Sequence, residues 1–279
     1  MTAVVESGYD DDLDGELLHP KTNPLQQWWV LTVRGLTKVF RNGEFIFAFV
    51  SPAMLALCFY LPLRKVVAEA ADGLDYAQFL MPIIMLQSMS FVASSAAMRS
   101  AFDGMEGVNA RFRVLPMPAL VPFVARTATN FVLLLVALIC GLAACLLMGW
   151  RPIPLDEDGG GLQGAVLAIV LVGVIGWALS FVADGVGMVA KTPSATSQLV
   201  AFPTLILGML SSGFMPLMLF PEWIRGFVRN QPISQVVKAM RELMEGTATW
   251  DTVAPSVWWF FGLIVLGLML FGVAARRIG

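Results

Sequence analysis

Long apolar runs separated by short polar ones dominate the chain. Several of these runs reach the roughly 20 residues that an α-helix needs to cross a bilayer. Six spans are expected, near 44–63, 78–98, 120–148, 162–188, 198–219 and 254–274. Charges, prolines or glycines separate them, so they do not merge into longer helices. The stretch RPIPLDEDGGG (151–161) reads as an exit and return between the third and fourth spans.

Two stretches outside the spans have a different, amphipathic period. In LQQWWVLTVRGLTKVFRN (25–42), Trp28, Trp29, Leu31, Val33, Leu36, Val39 and Phe40 give an apolar side, and Arg34, Lys38 and Arg41 a cationic one. Paired tryptophans beside basic residues suit the headgroup region, which predicts an interfacial helix with its charges toward anionic lipid. An extension of the first span is the other arrangement this pattern allows. In NQPISQVVKAMREL (230–243), Ile233, Val236, Val237, Met240 and Leu243 fall on one face of a helix, and Lys238, Arg241 and Glu242 fall elsewhere. Asn230 is the expected N-cap, with Pro232 in the first turn. The preceding FPEWIRGFVRN supplies a second short amphipathic piece, with Trp223, Ile224, Phe227 and Val228. Two short helices that enter the outer leaflet and turn back explain this pattern.

Composition agrees with the spans. The 279 residues are 57% hydrophobic and 14% charged, against about 25% charged in an ordinary soluble domain. The sequence therefore describes an all-α, polytopic membrane protein. The distribution of cations sets its orientation. With the N-terminus inside, Lys21, Arg34, Lys38, Arg41, Arg99, Arg111, Arg113, Arg126, Lys191, Arg276 and Arg277 are cytoplasmic. Arg64, Lys65, Arg151, Arg225, Arg229, Lys238 and Arg241 are outside, and eleven against seven favours both termini in the cytoplasm. The first 24 residues begin acidic (Asp10, Asp11, Asp12, Asp14, Glu16) and lack a cationic signal-peptide start; they are expected to form a disordered cytoplasmic tail. Residues 25–279 then make up the transmembrane domain.

Candidate chemistry is sparse. The single histidine, His19, lies in the tail, and no HExxH, CxxC or GxSxG pattern occurs. Histidine-dependent nucleophilic or metal chemistry inside the membrane is thereby excluded, and no catalytic residue, metal site or bound cofactor is expected. Cys58, Cys140 and Cys145 sit in apolar runs and read as packing residues. GVGMVAKT (185–192) imitates a phosphate-binding loop, but Ala190 replaces the second glycine and Pro193 follows at once. It reads as a helix end, so the chain itself binds no nucleotide, and no nucleic-acid partner is expected. Arg126 and Asp184 lie near the cytoplasmic ends of their spans, either paired across the third and fourth helices or as two independent interfacial residues. A proton-driven carrier needs a titratable group near the midplane, and none is found. Gly141, Ala143, Ala144, Gly173, Gly176 and Gly185 are expected to mark close helix contacts.

The loop RSAFDGMEGVNARFRVLPMPALVPFVAR (99–126) begins with a charged helical piece and ends with Pro116, Pro118 and Pro122. A short helix with mixed charges and exposed Phe102, Met105, Val108 and Phe112 suits docking on a soluble partner. A plain connecting loop is the simpler alternative.

These residues carry a resemblance. GFMPLMLFPEWIRGFVRNQPISQVVKAMREL (213–243), with its Phe220–Pro221 pair, its Asn230–Gln231–Pro232 turn and Ser234 to Arg241, resembles the membrane subunits of ABC-2-type exporters. The likeness is nearest to the daunorubicin-resistance-type permeases of actinobacteria. The middle stretch 107–126 resembles their cytoplasmic loop, and the similarity covers nearly the whole chain. It implies six transmembrane helices with an N-terminal interfacial helix, a cytoplasmic coupling helix within Arg99–Arg113, and short re-entrant extracellular helices within Pro221–Leu243. It also implies a separate ABC ATPase in two copies, which binds ATP and Mg, and a second permease subunit, identical or homologous. Relatives are associated with export of anthracycline-like drugs and of phthiocerol dimycocerosate, a long-chain lipid. On this reading Glu106, Phe112 and Arg113 contact the ATPase, while Phe220, Trp223, Phe227 and Met240 line or gate the exit. An ATP-independent carrier or channel is the alternative.

Overall fold

The computed structural model describes residues 23–70, 75–108, 111, 114, 117–118, 120–152, 161–190 and 192–278. The expected tail (1–24) thus falls almost wholly outside the described residues, as do Phe112 and Arg113. The first helix, α1, is Pro24–Arg41, opened by Asn23, whose Oδ1 accepts from the Leu25 amide at 3.1 Å. Pro24 occupies the first helical position, where its missing N–H costs nothing. Next come α2 (Glu44–Ala70), α3 (Tyr76–Met105), α4 (Leu120–Leu147) and α5 (Leu162–Val189). After them lie α6 (Pro193–Met209), a 3-10 turn (Leu217–Leu219), α7 (Glu222–Asn230), α8 (Pro232–Glu245) and α9 (Trp250–Ile278).

Among the described residues, five helices are long and apolar enough to cross a membrane: α2 over Glu44–Lys65, α3, α4, α5 and α9 over Trp250–Ala274. The segment expected as the fifth span, 198–219, differs. Its helix begins earlier, at Pro193, and stops at Met209 after 17 residues, about 25 Å of helix against a hydrocarbon core of about 30 Å. The chain then runs irregularly through Ser211-Ser212-Gly213 to the 3-10 turn. Exposed backbone of this kind is not tolerated in lipid, and here side chains of α8 take it up, as described below.

α3 is the axis of the bundle. The best 18-residue window of α3 is 83% buried, against 18% for α2 and 11% for α9, so the last two present most of their apolar surface outward. α3 packs most extensively on α5, and α2, α4, α6 and α8 also lie against it. The α3–α5 approach relies on small residues: a Cβ at Gly176 would meet the Met89 side chain at 2.7 Å, and one at Gly187 would strike the Ala97 carbonyl. Close approach of this kind brings helix association in lipid, where no hydrophobic force between helices operates.

Two expectations shift at helix ends. The piece expected to open a separate coupling helix, Arg99–Met105, is instead the last two turns of α3; Gly107, at φ +66°, then turns the chain. Asn230 ends α7, and Gln231 rather than Asn230 precedes α8. Pro232 imposes this, because the residue before a proline is driven to extended backbone, and Gln231 has φ −70° and ψ 153°.

Candidate functional site

Two polar assemblies stand at opposite ends of the bundle. The first lies where the C-terminal ends of α3 and α5 meet the N-terminal ends of α2 and α4, with α1 alongside. Glu44 opens α2, where a carboxylate is favoured by the helix dipole. It accepts from Ser95 Oγ at 2.8 Å and is ion-paired with Arg99 of α3. Arg99 also donates to Asn130 Oδ1 of α4 at 2.7 Å and to Ser95 Oγ at 3.0 Å. The Arg99 and Glu44 side chains are only 12% and 9% exposed, so each depends on the other to offset its desolvation.

One turn further along α3, Asp103 accepts from Lys38 Nζ of α1 at 3.1 Å and from Arg126 of α4 at 3.3 Å. Glu106 caps α3 and lies 3.6 Å from the same Lys38. A cavity of about 80 Å³ opens between these groups, and Arg34, Arg99, Arg126 and Asp184 are among its lining residues. Asp184 is buried, and its backbone carbonyl accepts from Ser100 Oγ at 2.9 Å. Arg126 and Asp184 thus share a cavity, and Arg126 has an ionic partner in Asp103.

The second assembly surrounds the irregular segment after α6. Arg241 of α8 donates to the carbonyls of Ser212 (2.9 Å), Phe79 (2.7 Å) and Gly213 (3.2 Å). Its guanidinium also lies over the Phe79 ring, 3.6 Å from the centroid. Burial pulls this guanidinium down to about 9, opposed by Glu245 and Tyr76. It therefore stays charged at neutral pH. Gln231 Nε2 donates to the Leu210 carbonyl at 2.7 Å, Ser234 Oγ accepts from the Ser212 amide at 3.0 Å, and Tyr76 Oη donates to the Phe214 carbonyl at 3.1 Å. The carbonyls of Leu210, Ser212, Gly213 and Phe214 and the amide of Ser212 thereby have side-chain partners across the break that ends α6.

Of the residues singled out for an exit, Trp223 is 83% and Phe227 51% exposed, whereas Phe220 is buried and Met240 is fully enclosed in the core. Glu106 sits half-exposed at the end of α3, and Phe112 and Arg113 lie outside the described residues. Sequence reasoning missed the pairing of Glu44 with Arg99 and the clamp made by Arg241. The N-in topology expected from sequence puts Glu44 and Arg99 on one side, the one signal that could have joined them.

Residues 26–244 match the model of the ABC-2 type transporter family. The chain belongs to that family. It is 36% identical over 269 residues to the doxorubicin resistance ABC transporter permease protein DrrB of Mycobacterium tuberculosis, covering 90% of each chain. It is 30% identical to the daunorubicin resistance ABC transporter permease protein DrrB1 of Streptomyces coeruleorubidus, over 72% of this chain and 68% of that one. A probable doxorubicin resistance permease, DrrC of Mycobacterium tuberculosis, is 24% identical over 80% of each chain. These relatives are named as permeases, the membrane components of ABC transporters, and this ABC-2 permease is a multi-pass membrane protein of the same kind.

Proposed function

We propose that the chain is the permease subunit of an ATP-driven exporter that moves an amphiphilic cargo outward, an anthracycline-like drug or a phthiocerol dimycocerosate-type lipid. Both termini lie in the cytoplasm and α6 completes a sixth crossing together with the supported segment that follows it. α7 and α8 form the re-entrant hairpin on the outer side. ATP and Mg are bound by a separate ATPase, present in two copies, and a second permease, identical or homologous, completes the pore.

One observation carries the reading. The ion-paired ends of α2, α3 and α4 converge with α1 at the end of the bundle where the chain leaves α3 for α4, and the two short amphipathic helices close the other end. A push on Glu106, Phe112 and Arg113 is thereby delivered to four helices at once. Trp223 and Phe227 meet the departing cargo, with Phe220 and Met240 as the wall behind them.

The test is a pull-down of the tagged chain in mild detergent from its native membrane, followed by transport in vesicles. An ABC ATPase recovered in near-equal amount, and ATP-driven export lost in a Glu106→Gln/Phe112→Ala double variant that still folds, are the expected results. Export without ATP by the chain alone would hand the function to a carrier. Unchanged export in the double variant would remove these residues from the ATPase contact.

A further inference from the structure

The side of α1 turned away from the bundle carries two parallel rows. Leu25, Trp29, Val33 and Phe40 are exposed, and their helical spacing aligns them in one row. Arg34, Lys38 and Arg41 follow at i, i+4 and i+7 and make a second row beside it. The opposite side is committed to the bundle: Thr32 and Val39 are buried, and a Cβ at Gly35 would meet Thr129 Oγ1 of α4 at 2.6 Å. α1 therefore cannot roll to hide either row. Along it runs an open crease of about 550 Å³, with Val30 and Val33 on its apolar edge and Arg34, Thr37, Arg41 and Asn42 on its polar one. Among the described residues three cations, counting Lys38, line the crease and no carboxylate does, although Lys38 also pairs with Asp103 and Glu106 behind it.

We infer that this crease is a binding site for an anionic phospholipid of the leaflet on which α1 lies. The phosphate is received by the Arg34 and Arg41 guanidinium groups, whose planar forks match phosphate oxygens. The Asn42 side-chain amide adds a neutral donor, while the Thr37 hydroxyl is spent on the Val33 carbonyl at 2.8 Å. The glycerol and first methylenes rest on Val30, Val33 and Trp29, an amphipathic division that suits the water–bilayer boundary. A soluble partner would satisfy the cationic row and leave the apolar row in water, so lipid is the better occupant. Lys38 gives the site reach: it lies at the crease and also pairs with Asp103 and Glu106 at the end of α3. A bound anionic lipid thus fixes α1 beside the end of the central helix, whatever the cargo.

The experiment is native mass spectrometry of the full chain in mild detergent, titrated with dioleoyl phosphatidylglycerol and, for comparison, dioleoyl phosphatidylcholine. The wild-type chain should retain phosphatidylglycerol preferentially and lose the preference as salt rises. An Arg34→Gln/Arg41→Gln variant should bind it roughly 25-fold more weakly, at about fivefold for each cation removed. An Arg34→Lys/Arg41→Lys variant, which keeps the charge, should fall only a few-fold. Equal retention of the two lipids by the wild-type chain overturns the proposal. So does a glutamine variant that holds phosphatidylglycerol as the wild type does, and if that variant also loses a co-purifying ATPase, the face belongs to the ATPase instead. Neither ATP nor cargo enters the measurement, so its outcome is independent of the exporter reading.

Discussion

The two ends of the bundle are held by different kinds of bond. Where α1 lies, carboxylates meet cations on separate helices: Glu44 with Arg99, and Asp103 with both Lys38 and Arg126. At the other end the charged group, Arg241, spends its donors on backbone carbonyls. Side-chain ion pairs join helices that remain separate bodies, and a carboxylate such as Asp103 can exchange one cation for another. Bonds to carbonyls fix the path of the chain itself. On the exporter reading proposed above, the first end is suited to passing relative movement between helices, and the second holds one irregular loop in one shape.

The largest break in this comparison comes from removing Arg99. Arg99→Ala leaves Glu44 buried without its cation, and loss of one partner from a buried pair costs about 3–5 kcal/mol. Thermal unfolding of the purified chain should show that loss. A Glu44→Leu/Arg99→Met variant, with neither charge present, should recover most of it. If the double variant is as damaged as the single, the pair acts through packing of its stems and not through charge.

Arg241→Lys tests the opposite end and should have a smaller effect. Lysine keeps the charge but not the planar fork that reaches Phe79, Ser212 and Gly213 together. Losing one or two charge-assisted bonds predicts a cost of about 2 kcal/mol. The damage should be local: amide exchange should rise in residues 210–215 before it rises in α3 or α5. Uniformly faster exchange throughout the chain would mean that Arg241 supports the bundle as a whole.

How far each end could be read from sequence follows from the same distinction. The buried face of α8 was legible, because period is local: Ile233, Val236, Val237 and Met240 are buried as their spacing predicts. The cores of α2 to α5 and α9 were legible as apolar runs. The end of α6 was not, since Leu217, Met218 and Leu219 continue the apolar run past the Ser-Ser-Gly break, and the side chains that support that segment, Arg241, Gln231, Ser234 and Tyr76, are distant in sequence. The Glu44–Arg99 pair was illegible for a related reason. Its members stand 55 residues apart, and nothing in either local pattern names the other.

The smallest expected effect on stability distinguishes scaffold from working surface at the end where α7 and α8 lie. Trp223, on α7, is 83% exposed, whereas Met240, on α8, touches no solvent. Trp223→Ala removes almost no buried contact, so its stability should stay within about 0.5 kcal/mol of the wild type. If α7 lies beside the exit, ATP-driven export should nonetheless fall several-fold, because an exposed indole is a large amphipathic contact for a departing amphiphile. Met240→Ala should do the reverse in kind: it opens a cavity and costs about 2–5 kcal/mol, and any loss of export should follow the loss of folded protein. Export per folded molecule is therefore the deciding quantity. A fall for Trp223→Ala alone assigns the exposed face of α7 to the cargo and Met240 to the wall. Equal export per folded molecule in both variants would leave α7 and α8 as a structural cap, and the path outward would then have to run elsewhere, along the outward-facing surfaces of α2 and α9.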